Sequence, residues 1–276
     1  MHLRLGILCR SLCAATGLML LCLGSARADR VNFPPSDFDI LSADSGARIG
    51  IARYTVDESG GRITLHGENR YFDGQRDVEE AQLTDAPAGA PPRLLSFRHD
   101  FYDAAGAVSI AARVDVETGL GVCGKNVAGK LALDSEEFQF PDDTYAGASV
   151  LLPIQQMASR RESETLNLHV FNCAPGPKVI AVEVAQESAA HSWSEYPGEL
   201  EKIDVKPDFG FWTMVIERFI PKLAVWFDPA QGTLLVGARL QRYYRGPKII
   251  MVRKKEAEIF NGQSSHNPPA TLEVPR

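Results

Sequence analysis

Apolar and polar side chains alternate along most of this chain, and the alternation is densest in residues 222–244. There Leu223, Val225 and Phe227 share one parity, and Ala224 and Trp226 share the other. The turn Pro229-Ala230-Gln231-Gly232 separates this run from a second one that reaches Tyr243 and Tyr244. Two alternating runs around a short turn are the pattern of an antiparallel hairpin. Both parities are apolar, so the spacing predicts a strand with something to bury on each face.

The same rhythm runs through the rest of the chain. Residues 48–56 and 62–72 form a first hairpin across Asp57-Glu58-Ser59-Gly60-Gly61. In the second of these strands Ile63, Leu65 and Tyr71 oppose Thr64, His66, Glu68 and Arg70, as in a strand with one wet face. Residues 93–102 and 107–116 make a second hairpin, and Val108, Ile110, Ala112, Val114 and Val116 alternate without a break. Further strands are expected at 130–133, 137–140, 165–172, 178–184, 199–206 and 248–253. Residues 74–92, rich in alanine and proline, read as a loop or ragged strand extension, and 185–198 as a polar loop. Residues 207–221 fit helix and strand equally. The rhythm breaks at 141–161, where Tyr145, Ala148, Leu151, Leu152 and Gln155 fall at helical spacing, and Pro153 should kink or end the helix. The expected fold is mainly β: a curved antiparallel sheet or unclosed β-barrel with a short helical segment packed on it.

Residues 1–28 have the form of a cleavable secretory signal, with Arg4 and Arg10 ahead of an apolar run and Ala26-Arg27-Ala28 as the cleavage site. Cys22 lacks the small preceding residue of a lipoprotein signal, so cleavage is expected after Ala28. One β-rich domain over 29–260 and a disordered tail over 261–276 complete the organisation, with no membrane span left after cleavage. Removing the signal takes away three arginines and no acid, which lowers the formal net charge from −6 to −9. An acidic chain repels phosphate backbones, and nucleic acid is excluded as a partner on that ground. Cys123 and Cys173 are the cysteines that remain. In an oxidising compartment they would form a disulfide, and two separately buried thiols are the alternative.

Motifs that could carry chemistry are thin. Gly119 through Gly124 spells G-x-G-x-x-G, but the segment sits among strands rather than at the start of a helix, and Asn126 stands where a P-loop needs Ser or Thr. No nucleotide or other cofactor is expected. His66, His99, His169 and His191 are scattered, without metal-ligand spacing. His99-Asp100 is not a dyad, because strand neighbours point to opposite faces. No catalytic or metal-binding residues are assigned. Trp212, Leu223, Val225, Trp226, Phe227, Tyr243 and Tyr244 are instead the candidates to line an apolar ligand site. Arg239, Arg242, Arg245 and Lys248 put local positive charge beside them, either as a solvated edge or as a contact for an anionic head group.

The order of elements, with a helical interruption near 142–161 and a terminal hairpin carrying Val225-Trp226-Phe227-Asp228, resembles bacterial envelope proteins similar in plan to the lipoprotein carriers LolA and LolB. The resemblance spans residues 48–253. It implies an unclosed β-barrel capped by helices around an apolar cavity, although the polar stretch 185–198 and the lack of a lipobox at Cys22 depart from LolB. The functional expectation is a periplasmic, non-catalytic binding or carrier protein for a lipid, a lipoprotein or another amphiphilic envelope component. The alternatives are an envelope interaction protein, or a hydrolase in which the fold gathers some of the four histidines with carboxylates.

Overall fold

The computed structural model describes residues 33–84, 90–160, 165–173, 176–193, 196–208, 223–242 and 246–254, with backbone alone for 188–193 and 197. The expected signal at 1–28, most of the ambiguous stretch 207–221 and the expected tail lie outside these residues.

Eight strands come first: β1 (Ser36–Ser42), β2 (Arg48–Ser59), β3 (Arg62–Tyr71), β4 (Arg76–Thr84), β5 (Leu94–Tyr102), β6 (Val108–Asp115), β7 (Leu120–Val127) and β8 (Lys130–Glu137). A two-residue strand β9 (Thr144–Tyr145) then leads into a 3₁₀ turn (Gly147–Val150) and the helix α1 (Leu151–Arg160). The chain returns to the sheet with β10 (Leu166–Asn172), β11 (Lys178–Trp193), β12 (Tyr196–Pro207), β13 (Leu223–Asp228), β14 (Leu234–Gln241) and β15 (Lys248–Arg253).

All fifteen strands belong to one sheet, in the order β8-β7-β6-β5-β4-β3-β2-β1-β15-β14-β13-β12-β11-β10-β9. Two meanders are thus joined through the pairing of the first strand with the last, where Ile40 lies opposite Met251. Every pairing is antiparallel except β9 with β10. The chain passes from one edge of the sheet to the other within residues 138–143, a reach of about 25 Å at most for so few residues. The sheet must therefore curl until its ends nearly meet. At the seam Cys123 on β7 is disulfide-bonded to Cys173, just past β10, with their Cα atoms 5.5 Å apart. Phe171 packs edge-on against Phe138 across the same seam, with ring centroids 6.2 Å apart. No ladder joins β8 to β9, so the barrel is unclosed. β8 hangs free beyond the seam, exposed along its whole length. Its Lys130, Asp134, Glu136 and Glu137 protect an edge that would otherwise template pairing with another chain.

Helix α1 buries Leu152, Ile154, Met157 and Ala158 against the concave side of the sheet. Contrary to expectation, Pro153 neither ends nor shortens it. Pro153 is the third residue of the α-helix, in the first turn, where backbone N–H groups have no intrahelical acceptor and a missing one costs nothing.

Three segments without a firm strand expectation are strands. β4 runs through the stretch expected to be a loop or a ragged strand extension, and β7 through the glycine-rich motif. β11 and β12 extend as a ribbon through 185–198, with Glu187 opposite Lys202 and His191 opposite Leu200. In that ribbon backbone pairing carries the element, so side-chain hydropathy gives no signal.

Candidate functional site

The concave side of the barrel holds a cavity of about 220 Å³, bounded by two unlike walls. One wall is apolar. Phe38 on β1, Ile249 and Met251 on β15, and Leu223 and Val225 on β13 point into it. Leu235, Ala238 and Leu240 of β14 join them, although Leu235 and Ala238 differ in parity. A bulge explains this: Trp226 pairs with Gly237 but Phe227 pairs with Leu235, which leaves Val236 as the extra residue. Val150 and Leu151, where the 3₁₀ turn runs into α1, cap the same space.

The opposite wall is polar and comes from β2 to β5. Register places Tyr54 beside Gly67, Gly67 beside Glu79, and Glu79 beside His99, a row across four strands. In the neighbouring row Asn69 pairs with Asp77. β4 is inverted relative to ordinary amphipathic strands: Asp77 and Glu79 are buried, whereas Val78 between them is exposed. The inward acids are held by specific partners. Asn69 Nδ2 donates to Asp77 Oδ1 at 2.7 Å, and the Tyr71 hydroxyl donates to Oδ2 at 3.4 Å. His99 Nε2 lies 3.8 Å from Asp77 Oδ1. The Ala148 N–H, in the 3₁₀ turn, donates to Glu79 Oε2 at 3.2 Å.

Two glycines make this wall possible. A Cβ at Gly67 would stand 2.6 Å from the Tyr54 ring and 2.8 Å from Glu79 Cγ. Gly147 has φ +55°, and a Cβ there would collide with Glu79 Oε2 and come within 2.6 Å of the Phe97 ring. Glycine at both positions lets backbone and carboxylate approach closely.

Burial sets the protonation of the wall. It pushes the Glu79 carboxyl above its ordinary range, and the Asp77 charge adds to this, against the opposing pull of His99 and the Ala148 N–H. Burial alone would lower His99, but the hydrogen bond to Asp77 and the charges of Glu79, Asp77 and Asp100 outweigh it, and its pKa is raised. Tyr54 and Tyr71 are both raised, by burial first and then by the neighbouring carboxylates, and stay neutral phenols.

Arg242 closes one end of the cavity. Its side chain is 8 % exposed, reaches the β3–β4 turn to pair with Asp73 at 3.0 Å, and stacks 3.4 Å from the centre of the Tyr71 ring. The acidic partner of this member of the basic group is therefore a side chain of the protein itself.

Of the residues singled out from sequence, Leu223 and Val225 line the cavity. Phe227 is fully buried in the same main core beyond the cavity lining. Trp226 faces the other way, into a second cluster with Tyr196, Leu200, Ala224, Val236 and Val252. Trp212, Tyr243 and Tyr244 lie outside the described residues. His66 sits on the outer face beside Glu80 and Asp57, and His169 pairs with Asp143 at 2.8 Å. Of the histidines whose side chains are described, His99 alone enters the cavity, and its neighbour Asp100 points away, held by Arg98 and Arg113. Sequence reasoning missed Tyr54, Asn69, Asp77 and Glu79. The available signal was an Asp-x-Glu pair followed by Ala81 and Leu83 at the same parity.

No protein-family model matches the chain, and no curated protein matches it in sequence. Among solved structures it is similar to the crystal structure of a beta-barrel-like protein of domain of unknown function DUF1849 from Brucella abortus, at 11 % identity. That similarity covers 82 % of this chain and 98 % of the other, with a TM-score of 0.45. By its own sheet topology the chain shares with the lipoprotein carriers the expected plan of an unclosed β-barrel, and nothing specific to LolA or LolB. Among the described residues no helix is long and apolar enough to cross a membrane.

Proposed function

We propose that the protein is an exported, non-catalytic binding or carrier protein that holds an amphiphilic envelope component in the barrel cavity. The observation that carries this reading is the two-walled cavity itself, apolar on β13–β15 and β1 and polar on β2–β5. An amphiphile matches both walls at once, and each CH₂ moved out of water contributes ~0.8 kcal/mol. The signal-like leader and the disulfide at the seam support export to an oxidising compartment, the periplasm in a double-membraned cell.

A hydrolytic reading has one point in its favour, the meeting of His99 with Asp77 and Glu79 in the cavity. Two features weigh against it. Among the described residues the lining offers no Ser, Thr, Cys or Lys as a nucleophile. The raised pKa of His99 also favours the imidazolium, which cannot act as a general base.

The test is binding of the neutral fluorescent probe N-phenyl-1-naphthylamine to purified, delipidated protein. Saturable binding is expected, and Ala238→Phe, which fills the apolar wall, should abolish it while leaving the circular dichroism spectrum unchanged. Absence of saturable binding, or binding unaffected by the filled wall, contradicts the proposal.

A further inference from the structure

We propose that the cavity selects amphiphiles with a primary ammonium head, seated against the carboxylates of Asp77 and Glu79. The inference deepens the binding-protein reading and rests on it.

The charge balance of the polar wall carries it. Among the described residues, and with both carboxylates ionised, Asp77 and Glu79 face one neighbouring cation, His99, because Arg242 is already committed to Asp73. The wall is then one positive charge short. It is also short of donors. Asp77 takes the Asn69 amide, the Tyr71 hydroxyl and His99, and Glu79 Oε2 takes the Ala148 N–H. The Tyr54 hydroxyl has one proton for two acceptors, Asn69 Oδ1 at 3.3 Å and Glu79. An ammonium supplies both missing quantities, one charge and three N–H donors. An anionic head would worsen both shortages, and a hydroxyl head would remedy neither the charge nor more than one donor.

The position of the acids fits a buried head. Glu79 is 8 % exposed yet lines the cavity, so a ligand that reaches it has its head away from bulk water and its tail along β13–β15. In the empty protein a proton on Glu79 meets the shortage, in keeping with its raised pKa. The ammonium displaces that proton, so binding tightens as pH rises. The groups facing Glu79 are Tyr54, Tyr71, Asp77, His99 and, at the cavity end, Arg242. The tyrosines, raised by burial, stay neutral phenols near neutrality. Deprotonation of His99 acts in the same direction, by removing a competing cation.

Isothermal titration of the disulfide-intact chain with decylamine, decanol and decanoate tests the inference. At about pH 7.5 decylamine should bind ~10-fold or more tightly than the other two, and this preference should shrink at about pH 5.5. Glu79→Gln keeps the shape and removes the charge. It should bring decylamine down to the affinity of decanol and leave decanol binding within about twofold, a pattern that mere loss of folding would not give. Equal or tighter binding of decanol or decanoate overturns the ammonium head and leaves the amphiphile cavity standing. A Glu79→Gln variant that retains the preference overturns the assignment to these carboxylates. Failure of all three ligands to bind overturns both the head and the cavity reading.

Discussion

Glu79 occupies a place where a carboxylate is costly. A buried acid whose pKa is raised in the folded state favours folding fully below its unfolded pKa of about 4.3, and that contribution is lost as pH rises through the folded value. Glu79→Gln removes the titration while its amide oxygen can still accept from the Ala148 N–H. The variant should melt a few degrees above the parent at about pH 8, where ~1 kcal/mol corresponds to ~2–4 °C for a chain of this size, and the difference should vanish near pH 4. Scanning calorimetry at the two pH values checks this, and a variant less stable at both would contradict it. At this scale the sequence was least informative. Asp77 and Glu79 look like any surface acids, and only the packing of Gly67, Gly147 and Asn69 around them marks them as inward. The alternating run beside the turn shows that Leu223 and Val225 share a face, but both parities are apolar there, so the sequence could not say which of them turns to the cavity.

β4 shows why one element escaped sequence reading and others did not. Strand assignment from hydropathy assumes that the inward parity is apolar, and β4 buries Asp77 and Glu79 while exposing Val78. The β13–β14 hairpin obeys the assumption on both faces and was legible apart from its bulge at Val236, and β2, β3, β5, β6 and β15 were legible as strands. The helix was legible in place, but its passage through Pro153 was not, because the harm done by proline depends on which turn it occupies. The cysteine pair could be enumerated from sequence, and the fold decides its effect. By joining β7 to the end of β10, the bond holds together the two sides of a seam that no β-ladder closes. In the chain-entropy model a loop of 50 residues corresponds to about 4 kcal/mol. The double variant Cys123→Ser, Cys173→Ser should lose stability of that order in a denaturant titration. An unchanged midpoint and slope would mean that packing at Phe138 and Phe171 alone holds the seam.

For the whole molecule, pairing of β1 with β15 joins the two meanders into one sheet, the disulfide tethers its two sides at the seam, and no ladder closes it at β8. Its concave side is filled by α1 at one part and left as a cavity at another, with Arg242 anchoring β14 to the β3–β4 turn across one end. This arrangement separates two apolar populations that look alike in sequence. Met251 and Val225 face the cavity, while Val236 and Val252 on the same strands or their neighbours pack with Trp226 on the far side. Methyl NMR during titration with decylamine distinguishes them directly. The methyl signals of Val225, Leu235, Ile249 and Met251 should shift in a saturable way, while those of Val236 and Val252 stay in place. Shifts confined to Val236 and Val252, or no saturable shift at all, would contradict the claim that the barrel interior is the binding site.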